Sequence, residues 1–193
     1  MIPSDSIPDI ISNNQINVIR LVNPGYIGGG GSTGSGCIIN KQYGLLVTNV
    51  HIANDIRQLN CHYLIKTSDN KIISRYRNGR VLYCEPYRDL ALVSLEFTGS
   101  DDKDNELTDQ FVLADQKPAD FGEQLICIGY PKPYRLQSMT LGYVCCGRRT
   151  FNETMFSYSV SSFIHHSSGT ISGYSGGPLI DEMGRLAGIH HIL

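Results

Sequence analysis

Residues Gly169-Thr170-Ile171-Ser172-Gly173-Tyr174-Ser175-Gly176-Gly177-Pro178-Leu179-Ile180 are the stretch that most narrows what this chain can fold into. A serine among glycines, followed by proline and apolar residues, reads as a loop entering a strand. Gly173 and Gly176 permit backbone turns that a side chain would block. Such a turn can present the Ser175 hydroxyl and aim the amides of Gly173 and Ser175 at one point, as an oxyanion hole requires. A serine hydroxyl is a weak nucleophile alone. It needs a base beside it and a group that orients the base. The chain supplies both types in Thr48-Asn49-Val50-His51-Ile52-Ala53 and Arg88-Asp89-Leu90-Ala91-Leu92-Val93. His51, Asp89 and Ser175 are far apart in sequence, so the fold must bring distant segments together.

The remaining pattern is that of many short strands. Residues 16–22 are apolar and β-branched, and Asn23-Pro24-Gly25 marks a turn. The run from Gly28 to Gly36 lacks the lysine and Ser/Thr that close a phosphate-binding loop, since Cys37-Ile38-Ile39 follows. It reads as a barrel-corner loop. Further strands are expected at 43–49, 62–66, 71–76, 80–85, 89–97, 121–131, 139–146, 155–163, 177–181 and 185–192. A turn of helix is expected after His51, and no long helical pattern is present. Short strands separated by turns imply an all-β barrel or sandwich. Residues 1–14 read as a polar lead-in and 99–110 as an acidic linker, which divides the chain into lobes at 1–98 and 111–193.

Thr-Asn-x-His-x-Ala, Asp-Leu-Ala-Leu-Val and Gly-x-Ser-Gly-Gly-Pro, in that order, resemble the chymotrypsin-like (trypsin fold) serine proteases. The HtrA-type proteases and the staphylococcal glutamyl endopeptidases are the branches most similar. The order distinguishes this group from subtilisin-like and α/β-hydrolase enzymes. The resemblance implies an all-β fold of two six-stranded β-barrel lobes, and a serine endopeptidase acting through an acyl-enzyme. It implies Ser175 as nucleophile, His51 as general base, Asp89 as the residue orienting His51, and the Gly173 and Ser175 amides as oxyanion hole. It also implies a pocket. In the glutamyl endopeptidases, and in viral relatives that cut after glutamine, a hydroxyl five positions before the nucleophile and a histidine in a Gly-apolar-His segment read the substrate. Thr170 and Gly188-Ile189-His190 stand there. Trypsin's pocket aspartate is replaced by Gly169. Cleavage after Glu or Gln is therefore expected. Two alternatives remain: a protease-fold module that binds peptides without turnover, and a protease domain of a larger signalling protein that is inactive alone. Resembling proteases continue past the position of Leu193. The expectation is a domain of a longer chain, or a second barrel that closes differently.

Bulk properties narrow the partners. The net charge is −2 with a sequence pI near 6.3. This gives no electrostatic case for nucleic acid or an anionic membrane, and no apolar run reaches the length of a span. A peptide or protein substrate is the expected partner, together with further domains of a longer chain. The six cysteines include no Cys-x-x-Cys pair, and four of them lie in strand-like runs. Reduced thiols and a cytoplasmic setting are expected. His165, His166, His190 and His191 cluster in sequence near the pocket, but without metal-ligand spacing, so neither a metal nor a cofactor is expected.

Overall fold

A computed structural model describes residues 7–25, 31–53, 57–96, 107, 109–114, 120–132, 136–149 and 163–191. Strands β1 (Val18–Asn23), β2 (Ser32–Asn40), β3 (Leu45–Thr48), β4 (Gln58–Lys66), β5 (Ile72–Glu85) and β6 (Leu90–Leu95) close into a barrel in the order β1-β2-β3-β6-β5-β4. A short helix, α2 (Val50–Ala53), follows β3 and carries His51. Strands β7 (Gln124–Gly129), β8 (Ser138–Arg149), β9 (Phe163–His166), β10 (Pro178–Ile180) and β11 (Leu186–Ile189) form a second sheet in the order β11-β10-β7-β8-β9. All these pairings are antiparallel.

The architecture is all-β with two lobes. The first lobe has the expected six-stranded closure. The second departs from it: among the described residues it is an open sheet of five strands, with β9 and β11 at its edges. Two further differences have physical causes. The runs 71–76 and 80–85 are one strand, β5, rather than two. Arg77-Asn78-Gly79 resembles a turn, but a Cβ at Gly79 would lie 2.6 Å from Cys61 Sγ and 2.9 Å from Val93 Cγ1. The glycine is there for close packing inside the barrel. The polar lead-in holds a helix, α1 (Ile7–Asn14), whose Ile7, Ile10 and Ile11 pack against the second core. Those residues sit at helical spacing, and a proline at position 8 falls in the first turn, where helices tolerate it. Most of the strand expected at 155–163 lies outside the described residues.

Alternation along β1 and β2 builds two cores from the same strands. Ile19, Leu21 and Ile38 point into the barrel with Leu46, Leu59, Tyr63 and Val93. Val18 and Cys37 point the other way, onto Phe111, Ile126, Ile128 and Ile180 of the second lobe. Residues between the lobes contribute as well: Leu107 is buried in the first core and Phe111 in the second, where its amide bonds Ile38 O at 2.9 Å. The six cysteines are unbridged, and Cys37, Cys61 and Cys127 are buried. Burial pushes the Cys61 thiol up to about 12, so it packs as a small apolar group.

Ser35, fully buried in β2, joins the lobes through its hydroxyl and amide, and its carbonyl ties it to β3. Its Oγ donates to Gly173 O at 2.7 Å and accepts from Tyr130 N at 2.9 Å. Its amide donates to Ser175 O at 2.8 Å, and its carbonyl accepts from Thr48 Oγ1 at 2.7 Å. Ser35→Ala strands the Tyr130 amide and the Gly173 carbonyl. Urea denaturation is expected to show a loss of about 1–3 kcal/mol. A loss under about 0.3 kcal/mol would show that the two groups find other partners and that Ser35 is not the tie between the lobes.

Candidate active site

The residues around His51 divide their roles along one short segment. Thr48 bonds back to Ser35 O. Asn49 starts α2, its carbonyl accepting from Ile52 N and Ala53 N at 3.2 Å. Ile52 and Ala53 anchor the helix in the barrel core. This leaves His51 facing outward, with its side chain 41% exposed.

Asp89 meets His51 across the mouth of the barrel. The turn Pro86–Arg88 ends in Asp89 with φ 52°, a left-handed conformation that aspartate adopts more readily than most residues. Two contacts hold the Asp89 carbonyl and one its carboxylate. Asp89 O accepts from Val50 N at 3.1 Å and from Asn49 Nδ2 at 3.0 Å, and Oδ1 accepts from His51 N at 2.9 Å. The other carboxylate oxygen, Oδ2, lies 2.7 Å from His51 Nδ1. With Nδ1–H donated to Asp89, a neutral His51 carries its lone pair on Nε2, the tautomer a general base needs. Beyond Asp89 the sequence alternates inward, with Ala91, Val93 and Leu95 in the core.

Ser175 sits in a loop where the three nearest glycines, Gly173, Gly176 and Gly177, are each enforced. Gly173 has φ 107°, and a Cβ there would overlap Tyr130 O. Gly176 has φ 83°, and its Cβ would overlap Ser35 O; that of Gly177 would overlap Ile128 O. The Gly176 amide bonds His190 O at 2.8 Å, and the His190 amide bonds Gly177 O at 2.7 Å. The Ser172 carbonyl accepts from Lys132 N at 2.8 Å. In a planar trans peptide the N–H opposes the C=O, so the Gly173 amide points away from Lys132. Neither the Gly173 nor the Ser175 amide donates to another described residue.

The loop reaches the His51–Asp89 pair from two sides. A Cβ at Gly34 would lie 2.7 Å from the Ile52 side chain and 2.9 Å from Ser175 O, so Gly34 is the spacer between helix and loop. On the other side, His191 follows the His190 that brackets the loop. Its Nε2 lies 3.3 Å from Asp89 Oδ2, and its ring centroid is 5.2 Å from that of His51. Ser175 Oγ makes no hydrogen bond to His51 among the described residues. Such bonds commonly shorten only when substrate is bound.

Thr170 and His190 line one cavity of about 740 Å³, which runs between β9 and β11. A chain of hydrogen bonds fixes the His190 tautomer. The Ser168 amide can only donate, so His166 Nδ1, 3.3 Å away, accepts. A neutral His166 then carries its proton on Nε2 and donates it to His190 Nδ1 at 3.2 Å. His190 is left with its proton on Nε2, and that buried atom has no partner. Burial, then the neighbouring His166 and His191, push the His190 pKa down to about 4. Burial and His165 lower that of His166 as well. The cavity therefore contains a neutral imidazole with an unused donor. An unpartnered buried donor is costly enough to point to a missing acceptor. His166 and His191 were both legible as histidines near the pocket, but their partners lie in other strands and no spacing rule finds them.

Comparison with known proteins bears on the family and the fold. A model of the trypsin-like peptidase domain matches residues 34–189. The chain is 28% identical over 194 residues to Protease Do-like 5, chloroplastic, of Arabidopsis thaliana, covering 98% of this chain and 53% of that protein. It is 30% identical over 159 residues to a probable serine protease do-like of Buchnera aphidicola subsp. Acyrthosiphon pisum (strain APS), covering 81% of this chain and 29% of that protein. It thus spans about half the length of one of these relatives and under a third of the other. The crystal structure of Deg5 superposes with a TM-score of 0.73 at 24% identity, over 96% of this chain and 83% of that one, which shows a shared fold.

The depressed His190 pKa carries a signature in stability. Between its ordinary 6.5 and about 4, the unfolded chain binds a proton that the folded chain does not. Stability is then expected to fall as pH drops through that window, by at most roughly 3–4 kcal/mol from this group. Urea midpoints measured from pH 7 to 4.5 should fall more steeply for the wild type than for His190→Gln. Parallel curves would contradict a buried neutral His190.

Proposed function

The chain belongs to the trypsin-like peptidases, and from that premise we propose that it is a serine endopeptidase using Ser175, His51 and Asp89. The observation that carries this is the His51–Asp89 pair. Its geometry puts the free lone pair of His51 on Nε2 and stabilises the imidazolium that forms when the Ser175 proton arrives. In the proposed sequence, Ser175 Oγ attacks the scissile carbonyl as His51 Nε2 takes its proton. The carbonyl oxygen becomes an anion and accepts from the Gly173 and Ser175 amides, which no described residue occupies. His51 then passes the proton to the leaving amine. Water repeats the sequence on the acyl-enzyme.

Substrate choice follows from the cavity. His190 Nε2–H is a neutral, desolvated donor, and the Thr170 hydroxyl lines the same space. Both can donate to a carboxylate or amide oxygen. Gly169 has only open space where a Cβ would stand, and supplies no counter-charge for Lys or Arg. We assign the pocket to Glu or Gln at the residue before the cut. The reduced, unbridged cysteines favour a cytoplasmic setting for this activity.

Quenched peptides differing only at the residue before the cut test the assignment. Those with Glu or Gln should be cleaved with kcat/KM about 100-fold above Leu, Phe or Lys, because a site built to donate hydrogen bonds rejects side chains that leave the donor unpaired. His190→Ala should erase that preference. Equal or faster cleavage after Lys, Leu or Phe would overturn it.

A further inference from the structure

The carboxylate of Asp89 is shared by two imidazoles, although base catalysis needs only one. His51 Nδ1 and His191 Nε2 stand 2.7 Å and 3.3 Å from the same oxygen, Oδ2. One ligand atom from each of the three side chains falls within 4.8 Å of the others. The three come from different places: α2, the turn before β6, and the second residue beyond β11. Their placement is firm. Asp89 is tied by His51 N, Val50 N and Asn49 Nδ2. The His191 ring stacks on Phe163 at 6.5 Å and 22°. The cluster is also open to solvent, with side-chain exposures of 41% for His51, 22% for Asp89 and 21% for His191.

Two imidazoles and one carboxylate are a donor set for zinc and other borderline divalent ions. Tetrahedral ligands at ordinary zinc distances lie about 3.3 Å apart, so the cluster needs only a small adjustment. We propose that His51, Asp89 and His191 form an inhibitory binding site for a zinc-like divalent cation. Binding itself depends only on these side chains; its effect on turnover rests on the reading of His51 as the general base.

The proton balance explains why the ion inhibits rather than assists. A neutral imidazole has one N–H. Ligation through Nδ1 of His51 moves its proton to Nε2, and ligation through Nε2 of His191 moves its proton to Nδ1. No proton leaves the protein. The Asp89 oxygen that accepted from His51 now donates a lone pair to the ion. His51 Nε2 then bears hydrogen, so the Ser175 proton has no acceptor. A bound ion also fastens the first lobe to the segment after β11.

Titration calorimetry of Zn²⁺ into the Ser175→Ala chain tests the binding without any need for activity. One-to-one binding is expected, and Co²⁺ in its place should give the visible absorption of a four- or five-coordinate ion. His191→Asn on the same background keeps a donor toward Asp89 but removes the ligand. It should weaken Zn²⁺ by about tenfold or more, while exposed His165→Ala should change nothing. With the intact serine, Zn²⁺ should block peptide hydrolysis reversibly on chelation, and less effectively in His191→Asn. An affinity unaffected by His191→Asn, or no stoichiometric binding, would overturn the site. Tight binding together with unimpaired hydrolysis would keep the site and overturn the general-base reading of His51.

Discussion

The site rests first on the hydrogen bonds of Ser35, which reach both the loop around Ser175 and the strand that leads to His51. Its hydroxyl and amide fix the carbonyls of Gly173 and Ser175, and its carbonyl is tied to Thr48, three residues before His51. A loop that must present a hydroxyl and two amides cannot be a regular element, since its own amides must stay free. Its position therefore has to come from outside. Ser35 supplies this from a central barrel strand, and the glycines at 176 and 177 let β2 and β7 approach closely enough to do so. The strain of positive φ at Gly173 and Gly176 costs little, because glycine adopts those angles readily.

The same logic governs the His51–Asp89 pair. Asp89 accepts a backbone conformation that most side chains avoid, and three hydrogen bonds from 49, 50 and 51 compensate. The segment that carries the histidine is thus the segment that holds the aspartate. The two cannot drift independently, and their 2.7 Å contact survives as one unit. The cavity histidine is arranged in parallel. Ser168 N dictates the proton position on His166, which dictates that on His190. In each case a group whose role is never in doubt selects a tautomer on an imidazole: the Asp89 carboxylate, which only accepts, for His51, and the Ser168 amide, which only donates, for His166.

Much of this was readable in the sequence. The three motifs drew attention to His51, Asp89 and Ser175, and alternation of the kind seen in Leu90-Ala91-Leu92-Val93 marked the strands. What escaped notice shares one cause: it depends on contacts between residues distant in the chain. Gly79 looked like a turn because its reason for being glycine is Cys61 and Val93 on neighbouring strands. The helix at Ile7–Asn14 owes its apolar face to the second lobe. The roles of Ser35, His166 and His191 are set by partners far away in the chain, as Gly173 is for the Ser35 hydroxyl, 138 residues on. Residues between 99 and 106, read as a linker, lie outside the described residues.

The most direct measurement is reaction of the purified chain with a fluorophosphonate, which phosphonylates, with loss of fluoride, only a serine whose proton has somewhere to go. Stoichiometric labelling of Ser175, lost in Ser175→Ala and slowed by orders of magnitude in His51→Ala, is the predicted result. A well-folded chain that takes up no label, or that labels equally well without His51, would contradict the assignment of Ser175, His51 and Asp89 as one catalytic unit.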